Sequence, residues 1–359
     1  RFTRPALSLA ARNAAIVAVA LMLGRSDLEI RSIVIGIVLG ALLMIAIQAP
    51  GLRDVLPRPN FNFRHPAIKR ILALYLPIFV GLMSNTVALV VDRNLAWGVD
   101  PNALGAMRYA TALNQMILGI VAAAISLAAL PTLSRHFTAG DTAAFQRTLS
   151  NGLKMVTIMV VPATLGLAAI SWPAVDLIFF HGATDLEGAR DIRIALLAYL
   201  PGTFFAAYDQ VLIFSYYARQ NTRTPVIVGI LAVGVYFAFA FLLIEPFGMA
   251  GLVLANSAQF TFHGITMWIL MRRALGSVGD ATVPRTMKLT LGVGLLMTAV
   301  VLGVSQGLQQ LPLFDTDQQG GITTILFEAV LVAIPVAVGA AVYVGGLWYL
   351  GVEEIRTIL

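Results

Sequence analysis

Ionisable and amide side chains interrupt long apolar stretches of this 359-residue chain at a few places, and those places are where chemistry is to be sought. Asp92 and Arg93 stand together at the end of one stretch. Arg108 opens the next, with Asn114 and Gln115 two turns further in, and Asp209 and Gln210 lie in the middle of another. His263 and Glu328 each fall within a further stretch. A charge inside hydrocarbon is costly unless it faces a cavity or a partner, so each is a candidate for a substrate or ion pathway. Plainer readings stand beside these. Asp92 and Arg93 are close to a predicted boundary, where charged side chains reach back to water. Asn114 and Gln115 would serve equally as hydrogen-bond partners between helices. Glu328 and His263 read as structural or interfacial. The chain has no cysteine, which excludes disulfides, thiolate catalysis and Cys-ligated metals. His65, His136, His181 and His263 are far apart and form no HxxH or HExxH pattern, so a zinc site is not expected, and no cofactor is implied.

The elements that must position these residues are read from composition. Charged residues are 12% of the chain, against about 25% in a soluble domain. Hydrophobic residues are 58% and the mean hydropathy is +0.85. So much apolar side chain finds its natural solvent in lipid. The expected fold class is an all-α polytopic membrane protein of about ten transmembrane helices. The predicted segments are 7–23, 32–48, 71–91, 104–130, 155–170, 192–216, 226–244, 250–271, 289–304 and 322–350, with a short amphipathic piece at 141–154 before the fifth. Lys and Arg are distributed over alternate loops as seventeen on one side and four on the other. That asymmetry supports the helix count and predicts that both ends of the chain are cytoplasmic. The net charge of +6 and pI near 9.8 do not indicate nucleic acid, because the basic residues are scattered through short loops; contact with membrane lipids is the expectation.

Smaller signals refine the picture. Gly36 and Gly40 form a GxxxG, a mark of close helix packing. Pro162, Pro201 and Pro335 fall within apolar segments and are expected to kink or end helices. YYARQNTRTPV (216–226) reads as a helix end, a short basic turn and a proline at the next helix start. LAALPTLSRHF (127–137) reads as helix, proline and basic exit, and the loop LPLFDTDQQGG carries Asp315 and Asp317 with no Lys or Arg.

On these strings the chain resembles the MurJ/MviN family, the lipid II flippases of bacterial peptidoglycan synthesis. The matching pieces are VVDRNLAWGVDPNALGAMRYATALNQMILGI, AALPTLSRHFTAGD with FQRTLSNGLK, YYARQNTRTPV, FGMAGLVLANS and the start RFTRPAL, in the family's order and spacing. The resemblance implies a two-lobe helical bundle with an incomplete N-terminal lobe, about four helices of the family plan preceding Arg1. Residues 1–50 would then be the last two helices of that lobe, 51–69 a cytoplasmic linker, 70–274 the six-helix C-terminal lobe, and 282–350 an extra helix pair that builds a groove for a polyprenyl tail. It further implies a multi-pass protein of the bacterial inner membrane with a role in cell-wall biogenesis and cell shape, no catalytic residues, and a polyprenyl-pyrophosphate-linked peptidoglycan precursor as substrate. Arg108, Asp92, Arg93, Asn114, Gln115, Asp209 and Gln210 are the cavity candidates. Two departures stand out. Ala112 occupies the position where the family usually has an arginine, and Arg108 lies one helical turn earlier on the same face. The segment 226–244 lacks the Asn or Asp that helps some members bind a cation and offers only Tyr236, leaving Asp92 as a possible ligand for a monovalent cation. Other readings are a flippase for another polyprenyl-linked glycan, a non-transporting flippase-like scaffold, and a membrane enzyme acting on a polyprenyl carrier, for which Asp315 with Asp317 is the nearest candidate acid pair.

Overall fold

The computed structural model describes residues 3–24, 31–52, 66–180, 184–278, 282–310, 322–352 and 354–355. His65, His181, Asp315, Asp317 and most of the 51–69 linker lie outside the described residues. Among the described residues there is no strand. The helices are α1 (Thr3–Leu23), α2 (Arg31–Leu52), α3 (Pro66–Val99), α4 (Ala103–Ile117), α5 (Ala123–Thr138), α6 (Thr142–Ala169), α7 (Ser171–Phe179), α8 (Leu186–Ala218), α9 (Arg223–Leu275), α10 (Thr282–Gln309) and α11 (Ile322–Tyr349). One π-helical turn, Leu118–Ala122, joins α4 to α5 as a continuous apolar rod. Seven helices among the described residues are long and apolar enough to cross a membrane, and the all-α polytopic class is borne out. The reason is that helices satisfy each backbone N–H and C=O within the segment, where hydrocarbon offers no partner.

The structure redraws several predicted boundaries. Residues 141–154 and 155–170 are one helix, α6, and the Asp141 carboxylate caps it by accepting the Ala144 N–H at 2.8 Å. The short helix α7 has no counterpart among the predicted segments. Segments 226–244 and 250–271 stand as expected: α9 is two helices that meet at Gly248, at φ 54° and ψ −128°, a conformation open to glycine. Of the two expectations for Pro162, Pro201 and Pro335, that they kink or that they end helices, ending is excluded: α6, α8 and α11 run on through them. Bundled helices can re-satisfy the carbonyl that a proline frees.

The chain divides into two compact units, Arg1–Ile71 and Leu72–Leu359. Within the first, α1 packs along α2. A Cβ on Gly36 would stand 3.1 Å from the Ile16 Cα, and one on Gly40 would stand 2.8 Å from the Arg12 carbonyl oxygen. The GxxxG is therefore the face on which the two backbones meet. Gln48 Nε2 also donates to Ser8 Oγ at 2.9 Å.

Within the second unit α8 is central, packed against α9, α4, α6 and α5. Its closest approach is at Gly202, where a Cβ would sit 2.6 Å from the Ser257 Cα. Ser257 Oγ donates to the Ala198 carbonyl at 2.6 Å across the same seam. The α10–α11 pair rests on α6: a Cβ on Gly294 would meet Val161 at 2.9 Å, one on Gly346 would meet Val293 at 2.8 Å, and Tyr343 Oη donates to the Ile158 carbonyl at 2.7 Å. Lys154 of α6 and Glu354 form an ion pair at 2.7 Å.

These distances predict that Gly202→Ala overpacks the α8–α9 seam and costs about 1–3 kcal/mol of stability. Gly98→Ala, with nothing within 4 Å of the added carbon, costs none. Detergent-solubilised unfolding followed by tryptophan fluorescence distinguishes the two.

Candidate functional site

A cavity of about 550 Å³ lies within the second unit between α3, α8 and α9, with Asp209, Gln259 and His263 among its walls. The α8–α9 seam builds it. Past Gly202 the two helices stay close at Gly264, where a Cβ would be 3.1 Å from the Phe205 carbonyl. One turn further Asp209 of α8 meets His263 of α9, with Oδ2 and Nδ1 2.7 Å apart. Both side chains are nearly enclosed, at 7% and 11% exposure. The other ring nitrogen, Nε2, lies 3.3 Å from the Pro225 carbonyl oxygen. Gly229 faces the ring, and a Cβ there would stand 3.7 Å from Nε2, in ordinary contact. Tyr217 and Thr222 line the cavity toward the α8–α9 turn. That turn holds Gln220 at φ 57°, and the Asn221 side chain accepts the Thr224 N–H at 3.1 Å.

A second polar junction lies between α3 and α9. The Tyr236 hydroxyl donates to Asp92 Oδ1, and Arg93 is exposed beside it. Tyr236 is 2% exposed and packs in a cluster with Tyr199 and Met249, so its hydroxyl is held in place. A third junction ties α4 to α8, where the Thr203 hydroxyl donates to Asn114 Oδ1. Asn114 thus takes the helix-pairing role that was one of its two expected readings, and both groups are buried. Arg108, Ala112 and Gln115 are exposed and recur at helical spacing on one face of α4, opposite the buried Ala106, Met107, Ala110 and Leu113. Gln210 is half-buried on α8, and Glu328 is buried in α11.

The predicted candidates therefore do not form one site. Asp92 with Arg93, Arg108 with Gln115, Asn114, and Asp209 occupy four different settings. Thr203 was missed, and His263 and Tyr236, both noted in the sequence, were not matched to Asp209 and Asp92. Their signal in the sequence was weak: each is a single polar atom on an otherwise apolar helix, and the carboxylate or amide it meets lies on another helix. Among the described residues no group of three or more His, Asp or Glu could hold a metal ion.

An apolar slot of about 400 Å³ lies between α4, α6, α10 and α11. Leu113, Met116, Pro162, Met297 and Pro335 are among its walls, and no charged side chain lines it. Gly166 and Gly339 are also among its walls, and a Cβ on Gly339 would stand 2.6 Å from the Val301 side chain.

Tyr236→Phe removes the donor to Asp92 while keeping the ring. It is expected to cost about 0.6–2 kcal/mol, the range for a hydrogen bond between membrane helices. Unfolding of the reconstituted variant measures this, and an unchanged midpoint would show that the hydroxyl contributes nothing to the α3–α9 junction.

The family model described as the lipid II flippase MurJ matches residues 1–315. A Haemophilus influenzae protein described as "Probable lipid II flippase MurJ" is 30% identical over 265 residues, which is 71% of this chain and 52% of that protein. The lipid II flippase MurJ of Burkholderia cenocepacia is 24% identical over 357 residues, 98% of this chain and 68% of that protein. The chain spans about half the length of the first of these relatives. A solved structure of a lipid II flippase MurJ in an inward closed conformation superposes with a TM-score of 0.72 at 20% identity, covering 96% of this chain and 68% of that one. With the match extending over most of its length, this chain belongs to the lipid II flippase MurJ family.

Proposed function

We propose that the protein translocates the lipid-linked peptidoglycan precursor lipid II across the bacterial inner membrane, binding and reorienting it without breaking a bond. The observation that carries this reading is the family match across residues 1–315. The mechanism is alternating access, one helical lobe rocking against the other around a polar cavity. Residues 1–50 supply two helices of the N-terminal lobe, 51–69 the linker, 70–274 the C-terminal lobe and 282–350 the extra pair, with both ends of the chain cytoplasmic.

The substrate has two ends with opposite demands. A pyrophosphate needs cationic, fork-shaped donors, and Arg108 on the exposed face of α4 supplies one, with Gln115 on the same face as a neutral donor. Arg93 is a second exposed cation. A polyprenyl tail stays out of water, and the charge-free slot between α4, α6, α10 and α11 suits such a chain. Arg108 and the slot share α4, so headgroup and tail would be handled by one helix. Asp92 is the carboxylate a monovalent cation would use, in competition with the Tyr236 hydroxyl.

A flippase for another polyprenyl-linked glycan is the second reading. It is favoured by Ala112 standing where the family usually has an arginine.

Expression of the encoding gene in bacteria depleted of their own lipid II flippase tests the proposal. Wild type is expected to restore growth and rod shape. Arg108→Ala is expected to lose about ten-fold or more in transport, since a charged hydrogen bond to phosphate is worth about 1.5–3 kcal/mol. Arg108→Lys should retain part of the activity. Stable insertion of wild type without rescue would overturn lipid II as the substrate and favour another lipid-linked glycan.

A further inference from the structure

The Asp209–His263 pair is unused by this reading of transport, yet both its side chains are nearly enclosed. Both ring nitrogens of His263 face oxygen acceptors: Nδ1 is 2.7 Å from Asp209 Oδ2, and Nε2 is 3.3 Å from the Pro225 carbonyl oxygen. A carbonyl oxygen can only accept, and an ionised carboxylate can only accept. Two hydrogen bonds across this chain of three groups therefore need two protons. They are present when imidazolium faces carboxylate, and equally when a protonated Asp209 donates to Nδ1 while Nε2–H donates to Pro225. With one proton fewer, one of the two contacts becomes a lone pair against a lone pair inside a nearly closed site, and it repels.

The three groups belong to three different pieces of structure. Asp209 is on α8. Pro225 is in the first turn of α9, and His263 is in the half of α9 beyond Gly248. Gly248 is the one residue inside α9 with non-helical dihedrals, so the angle between the two halves of α9 is set there. The Asp209–His263–Pro225 chain bridges both halves and anchors them to α8. We propose that this chain is a proton-binding latch: with both protons in place it locks the α9 hinge against α8, and loss of one proton releases it. The cavity offers the proton a route, because it extends from the pair to Tyr217 and Thr222 beside the polar Arg219–Thr222 turn.

The surroundings leave the pair to titrate with little interference. Among the described residues lining the cavity, α3 presents Gly81, Leu82 and Ser84, and the two halves of α9 present no charged group besides His263. From α8 the Tyr217 phenol is the other titratable group facing Asp209.

The absence of cysteine allows clean labelling. Spin labels at Arg223→Cys and Arg273→Cys, both exposed and at opposite ends of α9, report the separation of its halves in the full chain reconstituted in nanodiscs. Pulsed-EPR distance distributions would be compared between about pH 5 and about pH 10, a range that spans histidine and carboxylate titration. Wild type is expected to show a narrow distribution in acid and a shifted, broader one in alkali. Asp209→Asn is the discriminating variant. An amide N–H can donate to Nδ1 while Nε2–H donates to Pro225, so the latch closes around a neutral imidazole. Its distribution is expected to stay narrow across the range. His263→Phe should be broad throughout. A wild-type distribution that does not change with pH would overturn the latch, and so would an Asp209→Asn distribution that changes as wild type does. Those two comparisons decide even if His263→Phe fails to fold, and neither depends on which lipid is transported.

Discussion

Hydrocarbon offers a peptide group nothing to bond with, and the architecture follows from that single deficit. Every segment of this chain that enters an apolar environment must close its own backbone hydrogen bonds, so the described residues are helix joined by short turns. Where the ladder stops, something local takes over. Asp141 accepts the Ala144 N–H at the start of α6, and Asp185 accepts the Gly188 N–H at the start of α8. Asn221 does the same for Thr224 in the turn before α9. The one non-helical residue inside α9 is a glycine, Gly248, where no Cβ obstructs the turn.

The same solvent removes the usual force that drives helices together, since lipid tails are as apolar as leucine. Association then rests on close van der Waals packing and on polar bonds between helices. In this protein the two act in sequence along the same seams. Gly202 lets α8 and α9 approach until the Ser257 hydroxyl reaches the Ala198 carbonyl, Gly264 maintains the approach, and Asp209 and His263 meet one turn later. The α10–α11 pair repeats the pattern, with Gly294 and Gly346 bringing the backbones near and Tyr343 bonding to α6. Small residues create the distance at which polar groups can pair.

This explains which parts were legible in the sequence. Helix number and class were, because length and hydropathy are properties of a segment alone. The helix-pairing role of Gly36 and Gly40 was also legible, as a local spacing. The division between 226–244 and 250–271 was legible as well, but the sharp turn itself was not, because it rests on the dihedral angles of Gly248 and those depend on what packs around it. Asp209 was visible as a buried charge, but His263 could not be matched to it, since the pairing depends on the crossing of α8 and α9. Tyr236 stood out only as the one polar group of its segment, with nothing in the sequence to connect it to Asp92. The residues of α4 show the same limit: spacing places Arg108, Ala112 and Gln115 on one face, while only packing shows that Asn114 turns away from them to Thr203.

That turn separates two kinds of polar residue. Asn114, Thr203, Tyr236, Asp92, Asp209 and His263 direct their hydrogen bonds at one another within the second unit, and a ligand would have to break those bonds to use them. Arg93, Arg108 and Gln115 are exposed and carry no such commitment among the described residues. Under the proposed function an anion would have to be released as readily as it is bound, so the cations that meet it should be accessible and not already fixed by a buried partner. The exposed face of α4 meets that requirement. The buried pairs instead hold the helices that present it, and a change in any one of them would shift that face without touching its exposed side chains.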